Sequence, residues 1–263
     1  MKAWKRIHIT KKRAACGVLG LLLLAAAYMG VPRAAEKVFA VAEGERRLPI
    51  YCVQTEKPQV SVSFDAAWGA DDTDELLRIL KENDVKATFF LCGYWVEKYP
   101  EEVKKIAAEG HDLGNHSATH PHMSRISSEE IAQELQKCHE NVKKLTGVEM
   151  ELFRPPFGEY DNHVIETAEQ NGYYTIQWDV DSLDWKEQGA EVEIRQVLEH
   201  KHLGNGSIIL FHNDAKYTPK VLDTILKGIK EKGFEIVPIS QLIHRENFEM
   251  DHEGRQIPKG KDV

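Results

Sequence analysis

From Gln59 the chain alternates, with Val60, Val62 and Phe64 apolar and Ser61, Ser63 and Asp65 polar between them. A period of two predicts a strand over QVSVSFD. The next segment, DDTDELLRILKEN, changes to helical spacing with acids in its first turn. KATFFL reads as a second strand. Pro100 and Gly110 then bracket the helical EEVKKIAAE, and HDLGNH follows as a short strand or loop. Ser127-Ser128-Glu129-Glu130 has the form of a capping box. After it, Ile131, Leu135, Cys138, Val142 and Leu145 recur at helical spacing until Gly147. Further strands are expected at ELFR, YYTIQWD, GSIILFH and FEIV, with helices at about 161–171, 190–203 and 218–232. Seven strands alternating with helices predict an α/β domain whose parallel sheet is flanked by helices, either open or closed as a barrel. Both architectures gather their chemistry at the carboxyl ends of strands.

The amino terminus has a different pattern. Ala14 to Val31 is eighteen residues without a charge, or ~27 Å of helix at ~1.5 Å per residue, enough for a bilayer core. Residues 1–13 hold six basic residues and no acid, so the rest of the chain carries −14 against a total of −8. Basic residues stay in the cytoplasm. The expected layout is a basic cytoplasmic head (1–13), a transmembrane signal anchor (14–31) and a polar stalk (32–57), with everything after Val31 outside the cell membrane. Ala40-Val41-Ala42 is an alternative, distant cleavage site, which would make the protein secreted. The acidic body excludes a nucleic-acid partner, which would need a basic stripe for the phosphates. Oligomeric state leaves no mark in the sequence. Cys52, Cys92 and Cys138 follow the apolar segment without metal-ligand spacing. Cys92 and Cys138 read as small core residues.

Candidate chemistry falls at the strand ends. His116 and His120 in NHSATHP stand four apart, on one face if the segment forms a helical turn, and two such imidazoles can grip a divalent metal. A solvated loop pair is the alternative, and the zinc-protease pattern HExxH is absent. RPPFG, from Arg154 to Gly158, makes a stiff turn that presents a guanidinium and backbone N–H groups. WDVDSLDW, from Trp178 to Trp185, sets three acids between two indoles, a composition suited to a sugar. Asp65 ends VSVSF and His212 ends SIILF.

In order, SFD at 63–65, NHSATHP at 115–121, RPPFG at 154–158, DSLDW at 181–185 and ILFH at 209–212 resemble the five motifs of the polysaccharide deacetylases. This is carbohydrate esterase family four, the NodB homology domain. The resemblance covers about residues 58–244 and leaves 245–263 as a polar tail. It implies a distorted (β/α) barrel of about seven parallel strands. It also implies a hydrolase that removes N-acetyl groups from amino sugars of a cell-wall polysaccharide with a divalent metal, usually zinc, with cobalt and nickel as alternatives. By the same resemblance His116 and His120 would be metal ligands, Asp65 the general base, and Arg154 its orienting partner. His212 would be the general acid, tuned by Asp184. The backbone N–H of Phe157 would meet the oxyanion, and Leu210 and Trp185 would line the acetyl-methyl pocket. Export favours peptidoglycan as substrate, with chito-oligosaccharides as the alternative.

One position departs from the family pattern. The first motif usually carries two successive acids, the base and then a metal ligand, and here the second is Ala66. Either the loop WGADD returns a carboxylate from Asp71 or Asp72, with Asp72, before the Thr73 helix start, the expected donor, or the site is weak and the protein is a glycan-binding pseudo-deacetylase. Asp72 has a competing reading as a helix cap. A glycosidase using Asp65 and a second acid would be indifferent to chelators.

Overall fold

The computed structural model describes residues 46–259. The expected anchor at 14–31 lies outside them, and among the described residues no helix is long and apolar enough to cross a membrane. In chain order the strands are β1 (Cys52–Val53), β2 (Gln59–Ala66), β3 (Thr88–Leu91), β4 (Asp112–Asn115), β5 (Leu152–Phe153), β6 (Tyr174–Thr175), β7 (Val180–Asp181), β8 (Ile208–His212), β9 (Glu235–Ile236), β10 (Phe248–Met250) and β11 (Arg255–Pro258). Seven of them run in the order β6-β5-β4-β3-β2-β8-β7, all parallel, and β9 pairs with the start of β2. This is the expected α/β architecture, a curved parallel sheet that remains open between β6 and β7.

The alternation in β2 serves two cores rather than a core and solvent. Val60, Val62 and Phe64 enter the larger core between sheet and helices, where Phe64 stacks between Phe89 and Phe211. Ser61 and Ser63 face the inside of the curve, fully buried, and donate to the carbonyls of Val237 and Ile209 at 2.7 and 2.9 Å. Each hydroxyl would cost about 1–3 kcal/mol if left unpaired there. Phe90, Leu152, Ile176 and Ile208 form a second, inner core, and Phe90 lies opposite Asp65 in the β2–β3 ladder.

Most helices keep their expected limits. The helix Ser128–Thr146 has the full capping box of Ser127 and Glu130, and ends on Gly147 in the left-handed conformation. The helix expected to 203 stops at Leu198, where the chain turns through His200 and Leu203. YYTIQWD contracts to β6, and the next residue, Ile176, donates to the Phe153 carbonyl while bridging Ile50. Val180–Asp181 forms a separate strand beside β8.

A small second sheet was not anticipated. β1, from the expected stalk, pairs in parallel with β11, and β10 pairs antiparallel with β11, both from the expected tail. These strands are two to four residues long, too short for a period to register in the sequence.

Candidate active site

Strand register assembles the site. In the β2–β8 ladder Asp65 lies opposite His212, and in the β4–β5 pairing Asn115 lies opposite Phe153. The residues that follow those two, His116 and Arg154, therefore leave adjacent strand ends together. A cavity of about 420 Å³ opens there, lined by Asp65, His116, His120, Phe157, Trp185, Leu210 and His212, with Trp68, Tyr94, Trp178 and Asp181 completing the wall.

Asp65 and Arg154 form a buried pair. Arg154 Nη1 donates to Asp65 Oδ1 at 2.7 Å, and Nη2 donates to the Gln177 carbonyl at 3.2 Å. The guanidinium is fully buried and lies 4.1 Å from the Phe90 ring centroid. Burial opposes charge on Asp65, yet the guanidinium, with His116 and His212, holds the carboxyl below its ordinary pKa. Asp65 is thus an ionised carboxylate at neutral pH.

His212 and Asp184 form the second pair. His212 Nδ1–H donates to Asp184 Oδ1 at 2.7 Å, and the His212 backbone N–H donates to Oδ2 at 2.7 Å. A carboxylate only accepts, so Nδ1 carries the proton and Nε2 is left for the pocket. Burial works against the imidazolium, but Asp184, with Asp65 and Asp181, raises the His212 pKa above its ordinary value. Trp68 stacks on the imidazole at 5.1 Å.

The two other histidines are neutral donors. His116 donates Nδ1–H to the Arg154 carbonyl at 2.7 Å, which leaves Nε2 unprotonated, 3.7 Å from Asp65 Oδ2. Burial and then the neighbouring His116 lower His120 to about 4. Their rings lie edge to face at 4.9 Å, but not on a helical turn. Ser117 and His120 both have left-handed backbones, at φ 66° and 58°. The loop is held by Gly93 and Tyr94, whose N–H groups donate to the carbonyls of Ser117 and Ala118. A side chain at Gly93 would meet the Ala118 backbone at 2.8 Å, so close approach requires glycine there.

Among the described residues no third donor is grouped with the two imidazoles. Asp72 is absent from the cavity wall, and its Oδ2 accepts from the Asp214 N–H at 2.7 Å. It precedes the helix Thr73–Glu82 and makes no side-chain cap bond, and its Oδ1 is buried without a partner. Asp72 instead ties the loop after β2 to the loop after β8. There Asn213 Oδ1 accepts from Ala67 N–H, and Asn213 Nδ2 donates to the Gly69 carbonyl. Ala66 is fully buried. Among the described residues no group of three His, Cys, Asp or Glu is arranged to hold a metal. Two imidazoles fit a metal, and a complete three-ligand centre is not present.

The rim is aromatic. Trp68, Tyr94, Phe157 and Trp185 are the large apolar side chains exposed among the described residues, and all four line this cavity. Phe157, at φ 60°, stacks on His122 at 4.4 Å and lies edge to face with His120 at 4.5 Å. Strained backbone collects here too, with Ser117, His120, Phe157, Leu183 and Asp214 all left-handed. Leu210 forms part of the cavity wall. Sequence reasoning missed Trp68 and Tyr94. Both follow strand carboxyl ends, the rule that located the rest. Cys52, Cys92 and Cys138 are buried free thiols, and burial pushes Cys52 and Cys92 up to about 12.

A family model for polysaccharide deacetylase matches residues 53–176. A peptidoglycan-N-acetylglucosamine deacetylase of Bacillus cereus is 34% identical over 71% of this chain and 68% of its own length. An uncharacterised Bacillus subtilis protein is 36% identical over 74% of this chain, which spans only 60% of that relative. Among solved structures, a family 4 carbohydrate esterase pseudoenzyme from Bacillus anthracis superposes with a TM-score of 0.71 at 32% identity, covering 81% of this chain and 73% of its own. A mutant of that pseudoenzyme with restored enzymatic activity gives the same TM-score at 37% identity, over 74% and 70% of the two chains.

Proposed function

The chain belongs to the polysaccharide deacetylase family of N-deacetylating hydrolases, and from that premise we propose that it hydrolyses the acetamide of N-acetylated amino sugars in cell-wall peptidoglycan, with a weak hold on its metal. The observation that carries this reading is the pair of intact proton-handling units, Asp65–Arg154 and His212–Asp184, facing one aromatic-rimmed cavity. Ionised Asp65 removes a proton from the attacking water, and Arg154 keeps the carboxylate charged and aimed. His212 enters as the imidazolium and delivers its Nε2 proton to the leaving amine nitrogen, while Asp184 steadies the charge. The Phe157 N–H meets the oxygen that gains charge as the carbonyl carbon becomes tetrahedral. Leu210 and Trp185 receive the acetyl methyl, and the aromatic rim stacks on the sugar faces of the polymer. His116 and His120 would hold a divalent metal, zinc first, by two imidazoles. A metal held there would supply Lewis acidity toward the acetyl carbonyl and the attacking water. The same reading places the domain outside the cell membrane, anchored by residues 14–31.

A second reading has its own support. Ala66 and the displaced Asp72 favour a protein that binds the glycan without turning it over. Acetate release from N-acetylated peptidoglycan by the full chain separates the two, measured as prepared, after chelation, and with zinc restored. Zinc-dependent release that His120→Ala abolishes supports the deacetylase. Glycan binding without release under any metal supports the binding protein instead.

A further inference from the structure

Behind His212 the hydrogen-bonded chain continues into the protein. The Thr218 hydroxyl lies 3.2 Å from Asp184 Oδ2 and 2.9 Å from Glu193 Oε1. All three residues are buried, Thr218 completely. Glu193 shares the inward face of the helix Ala190–Leu198 with Val197, an unusual place for a carboxyl group. Its other oxygen, Oε2, is buried without a partner. Burial, with the nearby charge of Asp184, raises the Glu193 carboxyl to about 7 despite the Thr218 bond.

A hydroxyl has one proton, and here two carboxyl oxygens lie within its reach. When Glu193 is protonated, it donates to Thr218 Oγ1, and Thr218 donates onward to Asp184. When Glu193 is ionised, it competes for the same proton over the shorter distance. Asp184 then loses a donor, keeps more of its charge for the imidazolium, and holds His212 more firmly. The titratable groups acting on His212 are Asp184, Asp65 on β2, Asp181 on β7 and His116 after β4, and Trp68 covers its ring. Of these, Asp184 is the one that the Thr218 hydroxyl reaches.

We propose that Glu193 is a positioning residue for His212: its protonation state directs the single Thr218 hydroxyl proton toward Asp184 or away from it, and so sets how firmly Asp184 holds the imidazolium. The proposal rests on the reading of His212 as the proton donor, but its test does not require turnover. The experiment follows the His212 ring by NMR across a pH titration of the detergent-solubilised full chain carrying labelled histidine, with His212→Gln for assignment. Wild type should show two inflections, because the titrations of His212 and Glu193 are coupled. Glu193→Gln keeps a neutral donor to Thr218 and should leave one inflection. Thr218→Val removes the relay and should also leave one, with its midpoint above that of Glu193→Gln. A single wild-type inflection that coincides with Glu193→Gln would overturn the proposal. Two inflections surviving in Thr218→Val would overturn it as well, by showing that charge acts through space without the hydroxyl. Failure of acetate release with the two-to-one pattern intact would count against the deacetylase reading alone.

Discussion

The two halves of the cavity are built to different standards. On one side, Asp65 and His212 are each locked by a buried partner, at 2.7 Å in both cases. On the other, His116 and His120 offer two lone pairs, and the position where the family sets a third ligand holds buried Ala66. The fold does not explain the difference, because adjacent residues of β2, Asp65 and Ala66, belong one to each half. Proton handling and metal holding therefore rest on different residues, joined where His116 Nε2 lies 3.7 Å from Asp65 Oδ2.

The largest expected effect breaks the first half. Arg154→Leu strands the Asp65 charge in a buried site, and urea unfolding at pH 7 should show a loss of about 3–5 kcal/mol. His120→Ala, on the second half, should cost about 1 kcal/mol. Equal losses would mean that the two halves are equally integral to the fold.

Next comes the His212–Asp184 unit. The folded-state pKa of His212 is raised above its ordinary value of 6.5. Its stabilisation is therefore fully present below pH 6.5 and is lost as pH rises through the folded value. The unfolding free energy of wild type minus that of His212→Gln should be about 1.5–3 kcal/mol at its low-pH plateau, the range for a hydrogen bond to a charged group, and should shrink on the alkaline side. A difference that grows with pH would mean that His212 is held neutral.

The smallest effect concerns the rim that spans both halves. Trp68→Ala should weaken binding of an N-acetylglucosamine oligomer by roughly 0.5–1.5 kcal/mol in calorimetry. Unchanged affinity would remove Trp68 from the sugar-binding surface.

The proton-handling half was legible in the sequence, and the metal half was legible only in part. Asp65, Arg154 and His212 each stand at or just past the carboxyl end of a strand, and parallel register brings such ends together without further information. His116 and His120 were recognised as a pair, but their geometry comes from a loop held by Gly93 and Tyr94, contacts more than twenty residues away. A local period cannot report them. Asp72 was ambiguous for the same reason. An acid before a helix looks like a cap or a returning ligand, and its actual partner is the Asp214 backbone, 142 positions along the chain. The small sheet of β1, β10 and β11 joins segments that read separately as a stalk and a tail, and only their pairing reveals it.

The most direct test restores the residue that separates the two halves. Acetate release by full-length wild type and Ala66→Asp would be measured against free zinc. A third donor worth even ~1.4 kcal/mol should lower the half-saturating zinc concentration about tenfold. Identical zinc dependence in the two proteins would contradict the account, because it would mean that the site already has its full set of ligands with alanine at position 66.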